Sequence, residues 1–91
     1  MIADTITDIR NPKTNSLGNI GITPNPTSGI VNVPSSFIGN DFELIDLQGQ
    51  KRFEILLSST RVDLSRLSEG LYLARIKTDN GYYVEKISII R

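Results

Sequence analysis

Apolar and polar residues alternate in short runs over most of the chain, and turn residues separate the runs. Gly29–Val33 has strand character through Ile30, Val31 and Val33. In the next run Phe42, Leu44 and Asp46 share one face, and Glu43, Ile45 and Leu47 share the other. Gln48-Gly49 turns the chain into Gln50–Leu57, where Lys51, Phe53, Ile55 and Leu57 share a face, so these two runs predict a hairpin. After the break at Ser58-Ser59, Thr60–Leu64 is a short strand with β-formers Thr60 and Val62. In Leu71–Lys77, Tyr72, Ala74 and Ile76 point one way and Leu71, Leu73, Arg75 and Lys77 the other. Asp79-Asn80-Gly81 is the strongest hairpin signal, because Asn-Gly tolerates positive φ at both central positions. Tyr82–Ile90 is the return strand.

The connections are as informative as the strands. Pro34-Ser35-Ser36 and Gly39-Asn40 bound a loop that carries Phe37 and Ile38. Asp63–Tyr72 leaves room for a single 3₁₀-like turn, Arg66-Leu67-Ser68, with Ser65 as its cap and Gly70 releasing it in left-handed geometry. Leu64 and Leu67 are then buried at a crossover between two sheets, and the Tyr72 hydroxyl bonds back to the connecting backbone as in a tyrosine corner. Leu64, Leu67, Tyr72, Ala74, Ile76, Ile87 and Ile89 are the expected core and corner residues. Six or seven short strands without a helix predict an all-β antiparallel sandwich. No βαβ alternation and no Gly-rich phosphate motif points to a nucleotide-binding fold.

The strand pattern begins at Ile22–Val31, ITPNPTSGIV. Pro24 and Pro26 fix φ and withhold two backbone donors, and Asn25 is pushed towards extended geometry by the proline after it. Gly29 lets the backbone swing back before the strand resumes. Upstream, Met1–Gly21 carries little pattern, with turn or loop composition at Asn11-Pro12, Asn15-Ser16 and Gly18-Asn19. The expected division is a flexible linker over 1–19 and one domain over 20–91, with Leu17–Thr23 available as an edge strand.

Composition removes several classes of chemistry. The chain has 91 residues and no His, Cys or Trp. An imidazole base, a Ser-His-Asp triad, a thiolate nucleophile, a disulfide and a zinc-thiolate site are therefore excluded. The formal net charge is zero, with 10 basic and 10 acidic residues scattered along the chain, so there is no basic stripe for nucleic acid. No apolar run is long enough to span a bilayer. Asp41, Glu43, Asp46, Asp63 and Glu69 lack the clustering that calcium requires and are read as solvated or capping residues. No cofactor is implied. Of Tyr82 and Tyr83, one must face outward, where it could stack on a sugar, and Lys86 and Arg91 read as solubilising positions on an edge strand. The N-terminus lacks the basic start and apolar stretch of a signal peptide, which fits either a cytoplasmic protein or a piece of a larger precursor.

Four strings in order carry a resemblance: PNPTSG at Pro24–Gly29, LIDLQGQ at Leu44–Gln50, VDLSRLSEGLYLARI at Val62–Ile76 and VEKISIIR at Val84–Arg91. Over Ile20–Arg91 the chain resembles a type A C-terminal sorting domain of the type IX secretion system, a family of Gram-negative bacteria. Pro24, Asn25, Pro26 and Gly29 match its opening motif, and Gly49 its hairpin glycine. Asp63, Leu64, Leu67, Gly70 and Tyr72 match its middle motif, and Lys86 and Arg91 its closing strand motif. Ile45 stands where the family often has an aromatic residue, and Phe53 falls slightly past the usual aliphatic position. The resemblance implies a seven-stranded immunoglobulin-like sandwich that acts as an address and not as an enzyme. The implied partners are an upstream cargo domain, the outer-membrane secretion machinery and a sortase-like peptidase. The route runs through the periplasm to the outer membrane, cell surface or extracellular space. Family members are cut upstream of the domain, which here means within Met1–Gly21.

Physically, such an address needs a folded shape with a strip to capture. Tyr82–Arg91 is the expected strip, read by strand addition or by its side chains, and the proline-stiffened corner at Pro24–Gly29 lowers the entropy lost on capture. A sandwich fold alone also fits an immunoglobulin-like adhesion or carbohydrate-binding module.

Overall fold

The computed structural model describes residues 16–91; of the expected linker, residues 1–15 lie outside the described residues. Six strands follow one another: β1 (Ile30–Asn32), β2 (Asp41–Ile45), β3 (Lys51–Leu56), β4 (Arg61–Asp63), β5 (Gly70–Thr78) and β6 (Gly81–Ile89). They form a four-stranded antiparallel sheet in the order β3-β2-β5-β6 and a two-stranded sheet of β1 and β4. With the bridging run over residues 16–27, this all-β sandwich meets the expectation of about seven short strands.

The alternation dictates the core. Phe42 and Leu44 of β2, Tyr72, Ala74 and Ile76 of β5, and Ile87 and Ile89 of β6 turn one face of the large sheet inward. Val31, Val62 and Leu64 close over them from the small sheet and its exit. Leu67 is half-buried against this cluster, and the other expected core residues are buried. Burying a side chain of this size stabilises by about 1.5–3 kcal/mol relative to exposure. The outward face is polar: Glu43 pairs with Arg75 at 2.7 Å and with Lys51 at 3.6 Å.

Three local features extend or correct the expectations. Phe37 is a buried anchor on a 3₁₀ turn, Ser35–Phe37, and its ring meets Tyr83 edge-on at 5.0 Å. A single turn has no period by which a sequence could announce it. Secondly, Lys51, Phe53, Ile55 and Leu57 do not share one buried face. The pairing shifts between Leu44↔Phe53 and Ile45↔Lys51, so Arg52 is the extra residue of a bulge. Phe53 and Leu57 pack inward, while Ile55 stays 41% exposed on the sheet edge. Thirdly, the turn after β4 is closed by Leu67 N–H donating to Leu64 O at 3.0 Å, and its cap is Asp63, not Ser65. Asp63 Oδ1 accepts from Ser65 N–H at 2.9 Å; both residues are capping types, and the carboxylate one position ahead of the turn has the better reach. Gly70 opens β5 at φ +151°, far from the left-handed helical values expected of a cap.

Candidate functional site

The first, third and fourth strings meet at one end of the sandwich, and Arg91 is where they meet. Its guanidinium donates to Ser28 O at 2.8 Å, to Ser65 O at 2.9 Å and to Leu67 O. Its backbone N–H donates to a Glu69 carboxylate oxygen at 3.2 Å. One side chain thus ties the PNPTSG corner to the turn that follows β4, with the planar fork of arginine suiting several carbonyls at once. Gly29 lies in this junction. Its carbonyl accepts from Leu64 N–H at 2.7 Å, and a Cβ there would stand 3.4 Å from Ser65 Cβ and 3.6 Å from Arg91 Nη1. These are ordinary contact distances, so a side chain would touch the junction without being excluded from it by space.

The corner also binds β6 directly. Pro24 and Pro26 offer no N–H, and both preceding peptide bonds are cis. The Asn25 side chain supplies what the prolines cannot. Its Nδ2 donates to Lys86 O at 2.7 Å and its Oδ1 accepts from Ser88 N–H at 3.2 Å. A carboxamide carries one acceptor and two donors, so it stands in for a strand residue at the sheet edge. Thr27 then makes true backbone pairs, donating to Ser88 O at 2.9 Å and accepting from Ile90 N–H at 2.9 Å. Its hydroxyl donates to Ile30 O and accepts from Gly29 N–H, so this 2% exposed threonine is fully satisfied.

Upstream of the corner the same run continues along β6. Leu17 N–H donates to Tyr82 O at 2.7 Å and Val84 N–H to Gly18 O at 3.1 Å. Between these bonds and Asn25, the amides of Ile20, Gly21 and Ile22 all donate to one oxygen of Glu85, at 3.1, 2.7 and 3.2 Å. Ile20 and Ile22 are buried in the core. Thr23 turns the run onto the small sheet, exchanging hydrogen bonds with Asn32. Residues 17–27 therefore form a strap along the outer edge of β6. The expectation that this edge is open to strand addition is corrected: the chain's own strap occupies it.

The remaining motif residues have definite places. The Tyr72 ring is buried and its hydroxyl donates to Ser68 O at 2.7 Å, as expected of a tyrosine corner. Leu64 is fully buried. Gly49 turns the β2–β3 hairpin at φ +86°, where only glycine is unstrained, and lies away from Arg91's contacts. That turn faces the Tyr72 corner across a shallow groove of about 230 Å³ lined by Asp46, Gln48, Arg52, Glu69, Leu71 and Tyr72. Asp46 organises it: Oδ1 accepts from Gln48 and Gln50 N–H, and Oδ2 from Arg52 at 2.7 Å. The Gln50 amide, with Arg52 and the Gln48 amide, holds the Asp46 carboxyl below its ordinary range. The Ser65 hydroxyl and amide do the same for Asp63. The Lys86 side chain is exposed, while its carbonyl serves Asn25. Tyr82 is the outward tyrosine, and the Arg75 guanidinium lies 4.9 Å from its ring centre.

Thr27 and Glu85 belong to this site and were not singled out in the sequence. Thr27 lies within the PNPTSG string. Glu85 leaves a clearer trace. It pairs with Ala74, so it shares the inward row with Tyr83 and Ile87, a carboxylate where the alternation calls for an apolar residue.

Among the described residues no cluster of three or more acidic side chains is placed to hold a metal, and no helix is long and apolar enough to cross a membrane. The class defined here is a small all-β module whose shared strings build one end of the fold by bonding to one another. Residues 21–90 match the family model of the secretion system C-terminal sorting domain, and the chain belongs to that family, the sorting domains of the type IX secretion system. It is thus a sorting signal, of a family that is generally non-catalytic, and implies a cargo precursor that is secreted or displayed at the cell surface. No curated protein matches the chain.

Proposed function

We propose that this domain is a non-enzymatic address that takes its attached cargo through the outer-membrane translocon and is then removed by a sortase-like peptidase. The observation that carries this reading is the convergence at Arg91. Ser28 within the first string and Ser65 and Leu67 within the third are bonded to the residue that ends the last one. Strings that build one surface together serve recognition of a folded shape better than recognition of a linear peptide. On this reading Pro24, Asn25, Pro26, Gly29, Lys86 and Arg91 form the presented end. Gly49, Asp63, Leu64, Leu67, Gly70 and Tyr72 build the frame behind it. The domain passes through the periplasm on its way to the outer membrane.

The test is a reporter joined to the N-terminus of this chain in a host that has the secretion system. The reporter is expected outside the cell, freed of the domain by intact mass. Leu64→Ala, expected to unfold the frame by removing a fully buried side chain, is expected to abolish export. Export of that unfolded variant at the wild-type level would overturn recognition of a folded shape, and retention of the wild-type fusion in the periplasm would overturn the address itself. For the carbohydrate-binding alternative the outward aromatic is Tyr82, one face of which lies against the Arg75 guanidinium.

A further inference from the structure

We infer that Glu85 is a positioning residue of the sorting signal: its carboxylate, held by three successive amides of the strap, latches residues 17–27 to β6 and so places the PNPTSG corner. This rests on the reading of the domain as an address, although the latch itself is a property of the fold alone.

Three features argue for it. Glu85 stands on the inward row of β6 beside Ala74 and Ile87, where an unsatisfied carboxylate would be costly. Its satisfaction comes from Ile20, Gly21 and Ile22, whose amides converge on one oxygen. Such convergence is a backbone nest for an anion, and Gly21 at φ +91° supplies the left-handed residue that shapes it. The residue pairs are 63 to 65 positions apart, so the nest holds two distant segments together and does not merely decorate a turn.

The latch sits where the strap leaves the ladder. Backbone pairing along β6 runs to Val84 at one end and resumes at Ser88 at the other. Between them only side chains bridge the gap, Glu85 reaching out from β6 and Asn25 reaching in from the strap. An uninterrupted strand would need neither. The corner that carries Pro24 and Pro26 cannot make a regular ladder, because proline has no donor to give. Glu85 fixes the strap just before the corner and Asn25 fixes it within, so the corner arrives at Arg91 in one position.

Hydrogen bonds to a charged acceptor are roughly twice as strong as neutral ones, so loss of the carboxylate is expected to speed local opening of the strap by about 10- to 100-fold. The experiment is amide hydrogen exchange on the full chain for wild type, Glu85→Gln and Glu85→Ala, with and without added sodium acetate. In Glu85→Ala, Ile20, Gly21 and Ile22 are expected to exchange about 10- to 100-fold faster, while Ala74 and Ile76 in β5 keep their protection. Glu85→Gln, which keeps an oxygen acceptor, is expected to fall between. Acetate is expected to restore part of the protection in Glu85→Ala by entering the vacated nest. Unchanged exchange at the three amides in Glu85→Ala overturns the latch. If β5 exchanges faster in step with the strap in both variants and acetate restores nothing, Glu85 supports the whole fold and positions nothing, which also overturns it. The same variants in the reporter assay are expected to lose export in proportion to strap opening. Wild-type export from an opened strap overturns the role in presentation while leaving the address standing.

Discussion

The two edges of the large sheet are managed in opposite ways. At β3 the edge carries no partner strand among the described residues, and it bears a bulge and charges of its own. Arg52 bulges, Lys51 and Glu54 bear charge, and the exposed Ile55 and Leu56 sit at the far end. The bulge and the charges are devices by which an edge discourages pairing with other chains, whereas Ile55 and Leu56 leave its far end apolar. At β6 no such device is needed, because residues 17–27 lie along the edge. Ile20 and Ile22 sink into the core and Asn25, Thr27 and Glu85 make the bonds. The comparison teaches that in this chain the first and last of the four strings are two sides of one structural device. PNPT closes the edge that the closing strand would otherwise leave open, and Arg91 ties the result to the middle motif.

The largest expected difference between the edges is in stability. Ile22→Ala removes a buried strap anchor and is expected to cost about 2–5 kcal/mol, whereas Ile55→Ala on the open edge should cost under about 1 kcal/mol. Urea denaturation of the two variants measures this, and equal midpoints would break the distinction. In a domain this small the former loss approaches the whole folding free energy. Next comes Arg91→Ala, expected to cost about 1–3 kcal/mol through loss of charge-assisted bonds at an exposed site. A melting temperature unchanged from wild type would show that the three motifs meet without supporting one another.

Much of this was legible from local pattern. Both hairpins, the inward rows of β5 and the Tyr72 corner follow from alternation and turn residues within a few positions of each other. Tyr72→Phe should therefore cost only about 1 kcal/mol, the value of the hydroxyl bond to Ser68, with the ring still packed. What alternation could not show is side chains acting as backbone. Asn25 bonds to residues 61 and 63 positions away, and no spacing rule connects them. Thr27 carried no sign of the turn it holds, whereas Asp63 read as a solvated or capping residue and caps the turn after β4. Glu85 alone was detectable in principle, as a charge breaking the inward row of β6. The β3 register was misread because a bulge shifts every side chain before it to the other face.

The smallest expected effect lies at the turn of the open edge. The Asp46 carboxyl titrates below its unfolded value because of the Gln50 amide, Arg52 and the Gln48 amide. Its contribution is therefore complete above the unfolded carboxylate pKa and is lost as pH falls through the lower folded value. Asp46→Asn should flatten the acid limb of a stability-pH profile while changing little near neutrality, and an unchanged acid limb would remove Asp46 from the account.

The claim that the β6 edge is closed by the chain itself is tested most directly by hydrogen exchange at its outward amides. Val84, Ser88 and Ile90 are expected to be protected in the wild-type chain, with Asn25→Ala releasing Ser88 first because its acceptor is the Asn25 side chain. Exchange at all three as fast as at the unpaired amides of β3, or Ser88 protection that survives Asn25→Ala unchanged, would contradict it.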